Sequence, residues 1–133
     1  LEKLIDSGVI ACLLPATALI LGEPPARARE MIDLGVPVAI STDCNPGSSP
    51  TTSMPLVMNL ACITMRMTPA ETLCAATYNA ACAIGMEDQI GSLEVGKQAD
   101  FVIWNVSNYQ KIHYMFGVNH VHQVWKNGMK VVG

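Results

Sequence analysis

An α/β fold followed by a small antiparallel element is what this 133-residue chain predicts, and three observations carry the prediction. Residues 9–14 (VIACLL) form a short apolar run stopped by Pro15, which reads as a strand buried on both faces. Residues 36–40 (VPVAI) form a second such run, and a helix-like segment lies between the two. Strand, helix and strand within about 30 residues make a βαβ unit, which implies parallel strands and a right-handed crossover. After Gly85 the pattern changes to short strands separated by turn residues.

The elements follow in order. Residues 1–8 are amphipathic in pattern, with Leu1, Leu4 and Ile5 ahead of Gly8. The helix at 26–34 has Pro24 and Pro25 at its start and Gly35 where a terminating glycine belongs. A polar loop at 43–53 (DCNPGSSPTTS) leads to a helix at 55–65 carrying Leu56, Met58, Leu60, Ile63 and Met65. Thr68-Pro69-Ala70-Glu71 predicts the next helix start: Thr68 caps, Pro69 takes a position that needs no N–H, and Glu71 bonds back to the cap. That helix is expected to run Ala-rich to Ile84 and stop at Gly85. Residues 90–93 (IGSL), 100–104 (DFVIW), 123–125 and 130–132 read as strands, with Asn127-Gly128 as a type I′ hairpin turn. No internal repeat is present.

Composition excludes several function classes. Half of the residues are hydrophobic, 14% are charged and the mean hydropathy is +0.32, which rules out a disordered chain. The net charge of −3 and eight scattered Lys and Arg leave no basic stripe for a nucleic acid. No apolar run reaches the roughly 18 residues of a membrane span, and residues 1–6 do not begin a signal peptide. The five cysteines (Cys12, Cys44, Cys62, Cys74, Cys82) are odd in number and lack CxxC spacing. They read as small buried hydrophobes of a cytoplasmic protein.

The chemically loaded segment is Ser41-Thr42-Asp43-Cys44-Asn45-Pro46-Gly47-Ser48-Ser49. In parallel α/β sheets ligands bind where loops leave the carboxyl ends of the strands, and Asp43 stands there. Asn45, Gly47, Ser48 and Ser49 bring an amide, a flexible backbone and two hydroxyls, donors suited to an anionic group. The same residues are also ordinary turn chemistry, with Asp and Asn bonding locally and Pro-Gly turning the chain. Spacing alone leaves both readings open.

The run from Ser41 to Pro50 resembles the segment after the eighth barrel strand of the imidazolonepropionases, metal-dependent amidohydrolases of histidine breakdown. The resemblance continues through Met58-Asn59-Leu60-Ala61, Met65-Arg66-Met67-Thr68-Pro69, Glu71, Ala75-Ala76-Thr77 and Asn79-Ala80-Ala81. Gly91 to Asp100 (GSLEVGKQAD) is similar to a return segment of many amidohydrolases, and Gly117-Val118-Asn119-His120-Val121 and Lys126-Asn127-Gly128 resemble the end of this family in particular. The resemblance implies the C-terminal part of a metal-dependent-hydrolase TIM (β/α)8 barrel over residues 1–85, then part of a small composite β-sandwich over 86–133. It implies that Asp43 is a catalytic ligand of one metal ion, zinc or iron. It implies that Asn45, Gly47 and Ser48 bind the substrate or its ring-opened product, the first two at the propionate end. The reaction implied is hydrolytic ring opening of 4-imidazolone-5-propanoate to N-formimidoyl-L-glutamate. A metal that brings a water's pKa toward neutrality, beside a carboxylate that takes up and returns the proton, suits that chemistry.

One carboxylate does not hold zinc alone, because three protein ligands and an open position are the working pattern. The superfamily's His-x-His pair and further histidines belong to the N-terminal portion, which the chain does not include. His113, His120 and His122 are its only histidines, and His120-Val121-His122 reads as strand alternation or surface. Cys44 is a thiolate candidate beside Asp43 or a plain loop residue. Arg66 reads as the solvated side of a helix end, Asp100 as a structural hydrogen-bond acceptor, and the eight methionines as adaptable packing.

The start at Leu1, without methionine and inside an amphipathic segment, is read as a fragment's beginning. Open strand edges then predict oligomerisation, aggregation or dependence on the missing N-terminal part, with a homodimer as the default assembly. The partners expected are a small-molecule substrate and that N-terminal part, with no nucleic acid and no membrane. The rival readings are another amidohydrolase, such as a nucleobase deaminase or a cyclic amidohydrolase, and a non-catalytic scaffold without a metal site.

Overall fold

A computed structural model describes residues 1–133, and every side chain except that of Glu2. It contains α1 (Glu2–Ile5), β1 (Ala11–Leu13), α2 (Pro15–Leu21), α3 (Ala28–Asp33), β2 (Val38–Ile40), α4 (Met54–Met65), α5 (Pro69–Ala76), α6 (Tyr78–Ala83), β3 (Phe101–Trp104), α7 (Lys111–Tyr114), β4 (Val121–Lys126) and β5 (Met129–Val132). β1 and β2 pair in parallel, Ala11 against Val38 and Leu13 against Ile40, so their carboxyl ends lie side by side. The expected βαβ unit is present, and mixed helix and strand content makes the fold α/β.

Local chemistry explains most boundaries. α3 ends in a Schellman arrangement: Gly35 takes φ +80°, its N–H reaches the Ile32 carbonyl, and the Val36 N–H reaches that of Met31. α4 is capped by Ser53, whose Oγ accepts from the Leu56 N–H at 3.3 Å. α5 carries the capping box expected of it: Thr68 Oγ1 accepts from the Glu71 N–H, and Glu71 Oε2 accepts from the Thr68 N–H. Arg29 holds the same Glu71 through both guanidinium NH2 groups at 3.0 Å. That hydrogen-bonded guanidinium keeps the Glu71 carboxyl below the usual carboxylate range.

Four expectations need correction. The helix expected from Thr68 to Ile84 is two helices, broken at Thr77, which leaves helical geometry at φ −125°, ψ −88°. Asn79 Nδ2 then donates to the Val38 carbonyl on β2 at 2.8 Å, so tertiary bonding to the sheet accompanies the break. Residues 90–92 form a bend and Leu93 is irregular, so 90–93 is not a strand. Gly91 sits at φ +91°, and a Cβ there would lie 2.6 Å from that of Ala81, so the chain presses against α6 where a strand would run. Residues 15–21, read only as the stop of a strand, form α2, with Pro15 in its first position and Gly22 closing it at φ +68°. The cysteines are not buried: Cys12, Cys44 and Cys74 are exposed, and Cys62 and Cys82 are partly so.

The core lies among β1, β2 and the helices, with Leu13, Val38, Ile40, Val57, Met58 and Leu60 in it. Asn59, only 1% exposed, fastens α4 to the segment around α7 by donating to the Ile112 carbonyl and accepting from the Gly117 N–H. The antiparallel sheet β3-β4-β5 forms with the Asn127-Gly128 turn at φ +50° and +73°, as I′ geometry requires. Asp100 clamps that turn, its Oδ1 accepting from the Asn127 N–H at 2.7 Å, which bears out its structural reading.

Candidate active site

The carboxyl ends of β1 and β2 bring two chain segments together. After β1 the chain turns at once into α2, which puts Thr17 in the first turn of that helix. After β2 the chain passes through Ser41 and Thr42 to Asp43. Thr17 Oγ1 donates to Asp43 Oδ2 at 2.8 Å, bridging positions 26 apart in sequence.

Asp43 is held in an unusual way. Its φ of +49° lies in the left-handed region, which aspartate tolerates better than most residues. Its N–H donates to Ser41 Oγ at 3.2 Å. The side chain is half-buried, and among the described residues Oδ1 has no hydrogen-bond partner. A carboxylate with one oxygen fixed and the other open is arranged to meet a cation or a water molecule.

The following loop is closed on itself by Asn45. Its Oδ1 accepts from the Gly47 N–H at 2.9 Å and the Ser48 N–H at 2.7 Å, and its Nδ2 donates to the Asp43 carbonyl at 2.6 Å. The Asn45 N–H also bonds the Ser49 carbonyl at 3.0 Å, and the fully buried Ser49 donates from Oγ to the Thr42 carbonyl at 2.6 Å. The turn reading of this segment is therefore seen directly. It also places Asn45, Gly47 and Ser48 together beside Asp43. Gly47 does not occupy a left-handed conformation, and the nearest atom to a Cβ placed there would be Asn45 Oδ1 at 3.4 Å.

The remaining candidates lie apart. Cys44 is exposed and makes no side-chain hydrogen bond among the described residues. His113 packs on α5, its Nε2 2.6 Å from Thr72 Oγ1, and burial pushes its pKa down. His120 is half-buried ahead of β4, and His122 is exposed on it. Arg66 is exposed at the end of α4. Among the described residues no three His, Cys, Asp or Glu side chains come together as a metal site. Asp43 fits a metal as one ligand of a set. Two residues escaped the sequence reading. Thr17 could have been found as a hydroxyl just past a strand end, like Asp43 itself. Cys12 on β1 has its thiol pKa raised by partial loss of solvent around the sulfur and then by the charge of Asp43, which marks it as a neighbour of that carboxylate.

A family model described as the amidohydrolase family matches residues 1–131. The chain belongs to the amidohydrolase family. Within that family it is similar to the imidazolonepropionase of Geobacillus thermodenitrificans, with 60% identity over 132 residues, 99% of this chain and 31% of that protein. The chain thus spans about a third of the length of the curated relatives it matches. A zinc-bound adenosine deaminase from Xanthomonas campestris superposes with a TM-score of 0.88 at 29% identity, over 98% of this chain and 34% of that one. The zinc complex of atrazine chlorohydrolase from Arthrobacter aurescens superposes with a TM-score of 0.85 at 26% identity, over 96% of this chain and 32% of that one. No helix of this amidohydrolase chain is long and apolar enough to cross a membrane.

Proposed function

We propose that this chain contributes one side of the active site of an imidazolonepropionase, which opens the ring of 4-imidazolone-5-propanoate to give N-formimidoyl-L-glutamate in histidine degradation. The observation that carries the proposal is the setting of Asp43 at the carboxyl end of β2, in a chain 60% identical to an imidazolonepropionase. On this reading residues 1–85 are C-terminal strands and helices of a (β/α)8 barrel, and residues 86–133 are C-terminal strands of a composite β-sandwich. The other metal ligands come from polypeptide beyond the third of the relatives' length that the chain covers. A cytoplasmic homodimer is the assembly proposed, and five free thiols suit a reducing compartment.

Asp43 is the residue here that would hold the metal ion, and zinc in two fold neighbours supports zinc over iron. When bound, such an ion supplies Lewis acidity that makes water nucleophilic at neutral pH. The Asp43 carboxylate takes up the proton of the attacking water and returns it to the departing ring nitrogen. Asn45, Gly47 and Ser48 bind the substrate, the first two at its propionate end, and the Ser48 N–H lies beside that of Gly47. The propionate carboxylate replaces Asn45 Oδ1 as acceptor for the Gly47 and Ser48 N–H groups, because a charged acceptor forms the stronger bond. Released from those two bonds, the Asn45 side chain turns its Nδ2 donor to the same anion.

The likeness to an adenosine deaminase supports a second reading, deamination of a nucleobase, though at 29% identity against 60%. The test is an assay of the complete polypeptide with 4-imidazolone-5-propanoate and, in parallel, adenosine and guanine. Ring opening without ammonia release from the purines is the expected result. Deamination without ring opening would overturn the proposal, and the absence of both metal and turnover would favour a scaffold.

A further inference from the structure

We infer that Thr17 is a positioning residue for Asp43: its hydroxyl fixes one carboxylate oxygen so that the other is presented to the metal. The inference rests on the reading of Asp43 as a metal ligand. Its first support is the way Thr17 differs from Thr64, Thr72 and Thr77. Thr64 donates to the Leu60 carbonyl at 2.8 Å, Thr72 to that of Pro69 at 3.0 Å and Thr77 to that of Leu73 at 2.6 Å. Those are the usual local bonds of a helical hydroxyl. Thr17 instead donates away from its own helix, to Asp43 Oδ2 at 2.8 Å.

The second support is the condition of Asp43. Its backbone is in the left-handed region at φ +49°, and its N–H is tied to Ser41 Oγ. The main chain is therefore fixed, and rotation about the two side-chain bonds is the remaining freedom. Thr17 removes it. With Oδ2 held and Oδ1 open, the carboxylate is ordered before any ion arrives, so less entropy is lost on binding. The parallel pairing of β1 and β2 makes this possible, since it sets their carboxyl ends side by side.

The test uses the complete enzyme and zinc, with affinity measured by chelator competition and kcat and KM measured separately. Thr17→Val is expected to weaken zinc binding by about 10- to 100-fold. We expect kcat to fall with little change in KM, and the metal-free protein to melt as the unsubstituted enzyme does. Thr17→Ser, which keeps the hydroxyl, should restore zinc affinity. If Thr17→Val misfolds, Thr17→Ala removes the hydroxyl with less bulk and carries the same expectation. Undiminished zinc affinity in Thr17→Val, in an enzyme that loses zinc on Asp43→Ala, overturns the role of Thr17 and leaves that of Asp43 standing. Equal damage from Thr17→Ser and Thr17→Val assigns the effect to packing and overturns it too. Zinc retained by Asp43→Ala removes the reading of Asp43 and this inference with it.

Discussion

The two sheets of this chain are both built of short strands and are buried to very different degrees. The parallel pair β1-β2 has helices packed on it, and every residue of β2 is buried. The antiparallel sheet has no fully buried residue: β4 is half-buried except at the exposed His122 and Lys126, and β5 is exposed throughout. Trp104 is the residue of that sheet that packs against the main core. A cleft of about 860 Å³, lined by Met58, Leu73, Ile84, Trp104 and Val124 among others, separates the sheet from α4, α5 and α6. What holds the sheet together is its own ladder, the Asp100 clamp and the stacked rings of Phe101 and Trp125, 5.5 Å apart. The comparison teaches where precision resides. The candidate site sits on the region with a packed core, where side-chain positions are fixed by neighbours.

The largest difference should appear in paired truncations. Met58, 2% exposed, should cost about 2–5 kcal/mol when changed to Ala, through lost burial and the cavity left behind. Val124→Ala in the open sheet should cost about 1 kcal/mol or less. Denaturant unfolding of both variants checks this, and equal costs would erase the contrast. A smaller effect is expected at Gly47→Ala. The added methyl meets Asn45 Oδ1 at 3.4 Å, an ordinary contact, so stability should change by no more than about 0.5 kcal/mol. The KM for 4-imidazolone-5-propanoate should nevertheless rise by about tenfold if the propionate approaches this backbone. A melt together with steady-state kinetics separates the two effects.

The smallest effect concerns acid. Because the Arg29 hydrogen bond lowers the Glu71 carboxyl pKa in the folded chain, Glu71 contributes stability that is complete above the unfolded value of about 4.3. That contribution is lost as pH falls through the lowered folded value. Glu71→Gln should flatten this part of the stability–pH curve and leave stability at neutral pH only slightly reduced, the pair being partly exposed. Unfolding titrations between pH 7 and the acid limb read both quantities.

Much of this was legible in the sequence because it rests on local chemistry. The Thr68–Glu71 capping box, the Gly35 stop and the Asn127-Gly128 turn need no distant partner, and all three are present. Features set by tertiary contact were not legible. The break at Thr77 accompanies a bond from Asn79 to β2, and residues 90–93 lose their strand to the close approach of Gly91 to Ala81. Helix α2 was missed because Pro15 both ends a strand and opens a helix. In the candidate site, Asp43 and Asn45 announced themselves by residue type at a strand end. Thr17 did not, because its meaning depends on which strand lies beside β1.

Metal analysis of the complete polypeptide and its Asp43→Ala variant, each purified with zinc and dialysed against a weak chelator, is the most direct measurement. We expect about one zinc per chain in the unsubstituted enzyme and a loss of most zinc and nearly all turnover in the variant, with the fold retained. Zinc at the same stoichiometry in both proteins would contradict the placing of a metal at the carboxyl end of β2.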